Sequence, residues 1–422
     1  MTYDKMILGN GVSVSMDCAR TGVNNNVIVC GGSGSGKTMS ISEPLFLETF
    51  NKSIIATVTK RRIVEKYKPM FLDRGYEVVD INFANPSLSD AAYDPLQYVR
   101  SYEDITYLAH AIVYANPQKE KNSADPYWDQ SAASLLAAEI GYVMMTQENP
   151  SFADVLAFHD NLKIIDSPGQ GQIETNVDDK YAALEAEAPN CFAVNCWKTF
   201  RQLPVKTASC IYSSLNTTID TIFNPKLREM MSLKRRVDFS QIATHKTVLF
   251  VTSSPVNPSL NCFVNMFYGT AFKELFEFAE EQPDGRLPIP VHMLCDDFAT
   301  GGRILNFPEY ISVFREKQIS VTLLLQSESQ LESMYDPGHA ATIINNCDTY
   351  VYMGGMDLLT NQRISLRLNA PMEDVLWMPV GETMVFRRGQ KPVVTTRYNI
   401  TKNKIYQDVT EKYEERIAKA IR

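Results

Sequence analysis

No stretch of the 422-residue sequence approaches the roughly 20 consecutive apolar residues that a membrane-crossing helix needs, so the chain as given is expected to be soluble. Polar residues directly after Met1 speak against a signal peptide. There is no excess of positive charge either: 41 Lys and Arg stand against 49 Asp and Glu, a formal net charge of −8. The field of the whole molecule therefore repels phosphate, and any nucleic-acid contact has to be local, through a basic patch or a pore lining. The eight cysteines show no paired metal-ligand spacing. Cys191 and Cys196, the tightest pair, lack a second pair nearby, and most of the others sit in apolar runs such as VIVCGG and HMLCDD. No zinc–thiolate site is assigned, and the pattern reads as reduced core thiols of a cytosolic protein. Internal repeats and low-complexity segments are also missing.

With 45% hydrophobic and 21% charged residues, the chain has material for one large core or two ordinary domains. VNNNVIVCGG places an apolar strand, Val27 to Cys30, directly before a glycine-rich turn, and TMSISEPLFLETF then reads as a helix. Further apolar runs at Ser53 to Val58 and Tyr76 to Phe83 flank a helical stretch around RRIVEKYKPMFLDRG. Strands alternating with helices predict an α/β domain with a mostly parallel sheet. From about Ser101 the apolar spacing turns helical, predicting an all-α insertion over residues 101–235 between nucleotide-binding parts at 1–100 and 236–422. The strand-helix rhythm returns at KTVLFVTSSP and continues through PVHMLCDDF, ISVTLLLQS, TYVYMGG and TMVFRRG. The charged end, IYQDVTEKYEERIAKAIR, is expected to be a solvated helix or an interaction tail.

GGSGSGKT, Gly31 to Thr38, fits G-x-x-x-x-G-K-[ST] in full, and each position has a physical task. Gly31, Gly34 and Gly36, with Gly32, Ser33 and Ser35 between them, let successive backbone N–H groups converge on phosphates. Lys37 brings a cation to the β- and γ-phosphates, Thr38 offers a hydroxyl to Mg²⁺, and the following helix adds its positive dipole end. ATP with Mg²⁺ is the cofactor so predicted. The metal needs a carboxylate at the end of a neighbouring apolar strand, and Asp296 and Asp297 follow Val291 to Cys295. Asp296 is assigned to the magnesium shell and Asp297 to orienting the attacking water; solvated acids at a strand end are the plain alternative. Gln326 ends VTLLLQS, either as a contact to the γ-phosphate or attacking water or as a buried strand-end amide. Arg315, in FREKQIS, is either an arginine finger for a neighbouring subunit's nucleotide or a surface charge. Lys60, Arg61 and Arg62, and Lys234, Arg235 and Arg236, are candidate nucleic-acid contacts or solvated faces.

Taken together, NNNVIVCGGSGSGKT, DPYWDQSAASLLAA, CDDFATGG, FREKQISVTLLLQSESQL and INNCDTYVYMGG resemble the TraG/TraD-type coupling proteins of type IV secretion and conjugation, in the FtsK/HerA-like branch of P-loop motors. The resemblance implies a RecA-like nucleotide domain interrupted by an all-α domain. It puts the phosphate-binding pair on Lys37 and Thr38, the acidic pair on Asp296 and Asp297, the third-motif glutamine on Gln326 and the arginine acting in trans on Arg315. Two positions depart from the family pattern. Asp297 stands where Glu is usual, one methylene shorter, and VTKRR (Val58 to Arg62) stands where an Asp-Pro-Lys-Gly-Glu-like run is usual, keeping Lys60 without its acidic neighbours.

The resemblance further implies an ATP hydrolase on the cytoplasmic face of the bacterial cell membrane. Its expected partners are DNA, relaxase or protein substrates and secretion-channel subunits, and its expected assembly is a homo-hexamer that need not persist in solution. Members normally carry transmembrane helices ahead of the nucleotide domain, and none is found in this chain. A DNA translocase of the wider group and an ATP-gated docking platform with little hydrolysis are the competing readings.

Overall fold

In a computed structural model, which describes residues 3–114, 126–165, 173–231, 233, 235–254, 258–298 and 303–421, the chain divides into two compact units. One comprises Met1–Asn82, Asp238–Pro255 and Ala271–Arg422, the other Phe83–Val237 and Val256–Thr270. The strands, in chain order, are β1 (Lys5–Gly9), β2 (Val12–Ser15), β3 (Val27–Cys30), β4 (Ser53–Val58), β5 (Glu77–Asn82), β6 (Ile164–Ile165), β7 (Glu174–Thr175), β8 (Thr247–Thr252), β9 (Val291–Cys295), β10 (Ile319–Leu325), β11 (Thr349–Tyr352), β12 (Glu382–Arg387) and β13 (Val393–Thr396).

The first unit is built on a nine-stranded sheet in the order β13-β12-β11-β3-β10-β9-β4-β8-β5. From β11 to β5 every neighbouring pair is parallel, and β12 and β13 add an antiparallel edge. The sequence explains the central strands: VIVC, SIIATV, TVLFVT, VHMLC and ISVTLLL are buried at every residue, as strands covered on both faces must be. One covering helix, Arg61–Asp73, buries Ile63, Val64, Tyr67, Met70 and Phe71, a single helical stripe. Tyr67, Phe71 and Phe250 crowd around Phe46, with ring centroids 5.3 to 6.2 Å from it.

The residues before the first motif form a hairpin: Asn10-Gly11 makes the two-residue turn joining β1 to β2, with Gly11 at φ 73°, and Met6 and Leu8 drop into the core. The charged end is a helix, Lys404–Ile421, mostly exposed as expected but docked along one side. Its Tyr406 ring lies 3.5 Å from the Lys66 ammonium, Val409 is buried, and Arg416 donates to the Glu65 carbonyl at 3.0 Å.

The second unit is helical, with described helices Tyr102–Tyr114, Tyr127–Thr146, Phe152–Asp160, Asp178–Glu187, Phe192–Arg201, Val205–Ile222 and Pro225–Met231. The helical insertion expected from periodicity also carries a two-residue antiparallel ladder, β6 with β7. Tyr127–Thr146 is apolar around most of its circumference and buries Ala132 through Val143 almost continuously. Glu139 on this helix and His159 on Phe152–Asp160 are both fully buried, with His159 Nδ1 3.0 Å from the carboxylate oxygens. The Tyr181 and Trp197 rings stack at 4.3 Å.

Candidate nucleotide site

Parallel pairing brings the C-terminal ends of four adjacent strands, β3, β10, β9 and β4, to one edge of the sheet. Cys30 pairs with Leu325, Leu323 with Cys295, and Leu294 with Ala56. The residues that follow these ends are Gly31–Thr38, Gln326, Asp296 and, after β4, Lys60. The sequence motifs that promised a common chemistry are gathered because the β3 and β9 strands sit either side of β10. Backbone bonds fix the loop to its neighbours: Gly31 N–H donates to the Leu325 carbonyl at 3.1 Å and Gly32 N–H to the Gly354 carbonyl at 2.8 Å.

Within the loop, Gly34 and Gly36 take φ of 75° and 91°, the left-handed region that a Cβ disfavours. Thr38–Ser42 then forms one wide turn in which Glu43 N–H reaches back to the Thr38 carbonyl, before the helix Glu43–Leu47. Pro44 has no N–H to offer a regular turn at this point, and such wide turns recur at functional sites. The Lys37 ammonium donates to the Gly32 carbonyl at 3.2 Å and to the Gly31 carbonyl. Burial lowers its pKa, while the negative charges of Asp297 and Asp296 pull it back up. The Ser35 hydroxyl is buried and has no hydrogen-bond partner among the described residues.

Asp296 and Asp297 are half-buried. Burial pushes the Asp296 carboxyl up to about 6, the charge of Asp297 adds to this, and Lys37, the Asp297 N–H and Lys60 oppose it. Asp297 sits at φ 50°, and its N–H donates to Asp296 Oδ1 at 3.1 Å. Aspartate tolerates this left-handed backbone better than longer side chains do, which gives the departure from the usual Glu a local physical basis. Among the described residues no group of three or more His, Cys, Asp or Glu side chains is placed to hold a metal. Mg²⁺ takes one or two carboxylates and completes its octahedron with phosphate oxygens and water. The Thr38 hydroxyl, the Asp296 carboxylate, the orphaned Ser35 hydroxyl and the glycine-lined loop are together a donor set that fits a magnesium nucleotide.

Gln326 is exposed at the end of β10 rather than buried, and its carbonyl accepts from the Cys30 thiol at 3.9 Å. Two residues on, buried Glu328 is gripped by Arg363 at 3.1 Å and by Arg367, which anchors the segment carrying Gln326. Arg315 lies elsewhere. It is exposed in the last turn of Phe307–Lys317, before β10 begins, at the opposite ends of the strands from the loop, where its charge acts on Cys18. The structure therefore does not bring Arg315 to the site of its own chain.

Three of the six residues in the basic trios are ion-paired. Arg61 is paired with Asp80 and lies 3.7 Å from Glu65, Arg236 is 3.1 Å from Asp94, and Arg235 is 4.0 Å from Asp90. Arg62 is exposed, and Lys234 lies outside the described residues, as do residues 299–302 of the CDDFATGG motif.

One cation at the site was missed from sequence. Arg397, just after β13, donates from Nη1 to the Ser35 carbonyl at 2.5 Å. No local pattern announces it, because it is 362 positions from its partner and reaches it only through the antiparallel edge of the sheet.

A glycine loop closing a buried parallel strand, with an acidic strand end two strands away and a glutamine strand between, defines a P-loop nucleotide-binding α/β protein with a helical insertion. Within that class the chain belongs to the family described as Type IV secretory system Conjugative DNA transfer, which matches residues 3–369. Among solved structures it is similar to the bacterial conjugative coupling protein TrwBdeltaN70 in its unbound monoclinic form, with TM-score 0.68, 16% identity, and coverage of 94% of this chain and 90% of that one. The plasmid coupling protein TrwB in complex with the ATP analogue ADPNP gives TM-score 0.65 at 15% identity, covering 89% and 85%. VirB4 of Thermoanaerobacter pseudethanolicus gives 0.59 at 12%, covering 96% and 98%. At these identities the likenesses establish a shared fold. No curated protein matches the chain. Among the described residues no helix is long and apolar enough to cross a membrane.

Proposed function

We propose that this chain is an ATPase that recruits a relaxase–DNA complex or a protein substrate to a type IV secretion channel and energises its transfer. The observation that carries the reading is the convergence of Gly31–Thr38, Gln326 and Asp296 with Asp297 on adjacent strand ends in a chain of the conjugative DNA transfer family. Lys37 and the loop N–H groups would hold the phosphates, and Thr38 and Asp296 the Mg²⁺ that shields their charge. Asp297 and Gln326 would position water at the γ-phosphate. TrwB itself has been solved with ADPNP and with ADP and Mg²⁺, which supports ATP with Mg²⁺ as the cofactor here.

Arg315 is read as acting on a neighbouring subunit's nucleotide in a homo-hexamer, since it lies away from its own loop. Exposed apolar side chains at Met356, Trp377 and Val380, 87%, 74% and 94% exposed, favour such a subunit contact. The helical unit is read as the surface for substrates, and the cytoplasmic face of the membrane as the site of action.

The test is ATP turnover with and without single- and double-stranded DNA, with Lys37→Ala as control. Turnover accelerated by DNA and abolished by the substitution is expected. Tight MgATP binding without turnover under any condition would replace the motor with an ATP-gated docking platform, the reading that the shorter Asp297 favours. For Arg315, mixing Arg315→Ala with Lys37→Ala subunits should restore part of the activity, and absence of rescue in every mixture would remove its role in trans.

A further inference from the structure

We propose that Arg397 is a second phosphate-binding cation of the nucleotide site, supplied in cis from the antiparallel edge of the sheet and acting beside Lys37. The inference rests on the ATP-site reading above and goes beyond the family match, which ends at residue 369.

Three observations carry it. First, the guanidinium occupies a slot that the absence of a Cβ on Gly36 leaves open. A Cβ on Gly36 would meet Arg397 Nη1 at 2.6 Å, closer than a Cβ can approach, whereas one on Gly381 would make only ordinary contact with Nη2 at 3.5 Å. Gly36 and Gly381 both sit at positive φ, 91° and 105°, and Arg397 N–H donates to the Gly381 carbonyl at 2.7 Å, fixing the side chain's origin against the same turn.

Second, both cations meet the loop through carbonyls rather than through carboxylates. Among the described residues neither Lys37 nor Arg397 is ion-paired with a carboxylate; both donate to carbonyls of the loop, Lys37 to Gly31 and Gly32, Arg397 to Ser35. Both side chains are half-buried, and an anion would give each a partner of opposite charge.

Third, the chemistry suits the ligand. A guanidinium carries five N–H donors in a planar fork matched to phosphate oxygens, and one bond to Ser35 leaves donors for an anion.

A clamp on the Ser35 carbonyl and a cation for phosphate make different demands on residue 397. Glutamine keeps an N–H that can reach Ser35 but has no charge; lysine keeps the charge. The experiment measures MgATP and adenosine affinity of the full chain by calorimetry for wild type, Arg397→Gln, Arg397→Lys and Arg397→Ala, with circular dichroism and apo melting as folding controls. Phosphate binding predicts that Arg397→Gln and Arg397→Ala weaken MgATP about tenfold or more, that adenosine affinity is unchanged, and that Arg397→Lys retains part of the loss. MgATP affinity of folded Arg397→Gln equal to wild type overturns the proposal while leaving the ATP site standing. Absence of MgATP binding in wild type overturns both readings.

Discussion

The ammonium of Lys37 donates to the carbonyl of Gly32 at 3.2 Å, so the charge meant for phosphate is folded onto the loop that carries it. The lysine is partly desolvated, and these bonds return little of the cost. Lys37→Ala should therefore leave apo melting within about 3 °C of wild type while lowering MgATP affinity at least about 100-fold. Calorimetric titration and thermal melting check the two halves, and a large loss of apo stability would mean that the lysine is structural.

Asp296 gives the apo protein a pH dependence of definite sign. Its carboxyl is raised from 3.8 to about 6, so between those values the folded chain binds more protons than the unfolded one. Stability accordingly falls as pH rises through this window and levels off above it. Asp296→Asn should flatten the slope and be at least as stable as wild type at pH 7, while weakening Mg²⁺-dependent nucleotide binding. Apo melting from pH 4.5 to 8 tests this, and an unchanged slope in the variant would refute the assignment.

Gly34 and Gly36 have the same backbone preference but different neighbours. A Cβ on Gly34 would meet nothing within 4 Å, whereas one on Gly36 would collide with Arg397 at 2.6 Å. Gly34→Ala should cost about 1–2 kcal/mol of backbone strain and still bind MgATP. Gly36→Ala pays the strain and displaces the guanidinium, and should weaken MgATP about tenfold or more beyond Gly34→Ala. Equal effects in a titration would show that the Arg397 contact is of no consequence.

In the helical unit, burial alone would lower the His159 pKa, but the carboxylate of Glu139 outweighs it and the value is raised above 6.5. The pair's contribution is full below pH 6.5 and is lost as pH rises through the raised value. Calorimetry should show a transition that softens above that value in wild type, and His159→Gln should lose this dependence. Breaking the pair by His159→Ala, which leaves a buried carboxylate, should cost about 3 kcal/mol.

The sequence by itself determined the phosphate loop, the acidic pair, the alternation of strand and helix, and the helical insertion. Each of these is written locally: Gly31–Thr38 in residue type and spacing, β4 and β10 as unbroken apolar runs, the helices as apolar stripes. The β1–β2 hairpin had only Asn10-Gly11 and two short alternating runs to announce it, and no strand was expected there.

Only tertiary structure decided which charges meet. The parallel register of β3, β10 and β9 assembles Lys37, Gln326 and Asp296 and sends Arg315 to the far ends of the same strands. Asp80, Asp90 and Asp94 neutralise arginines that looked available for nucleic acid, and Arg397 comes to Ser35 across 362 positions of chain. Charged contacts of this range have no period and no fixed spacing. Strand order fixes them, and strand order is settled by how the buried faces pack.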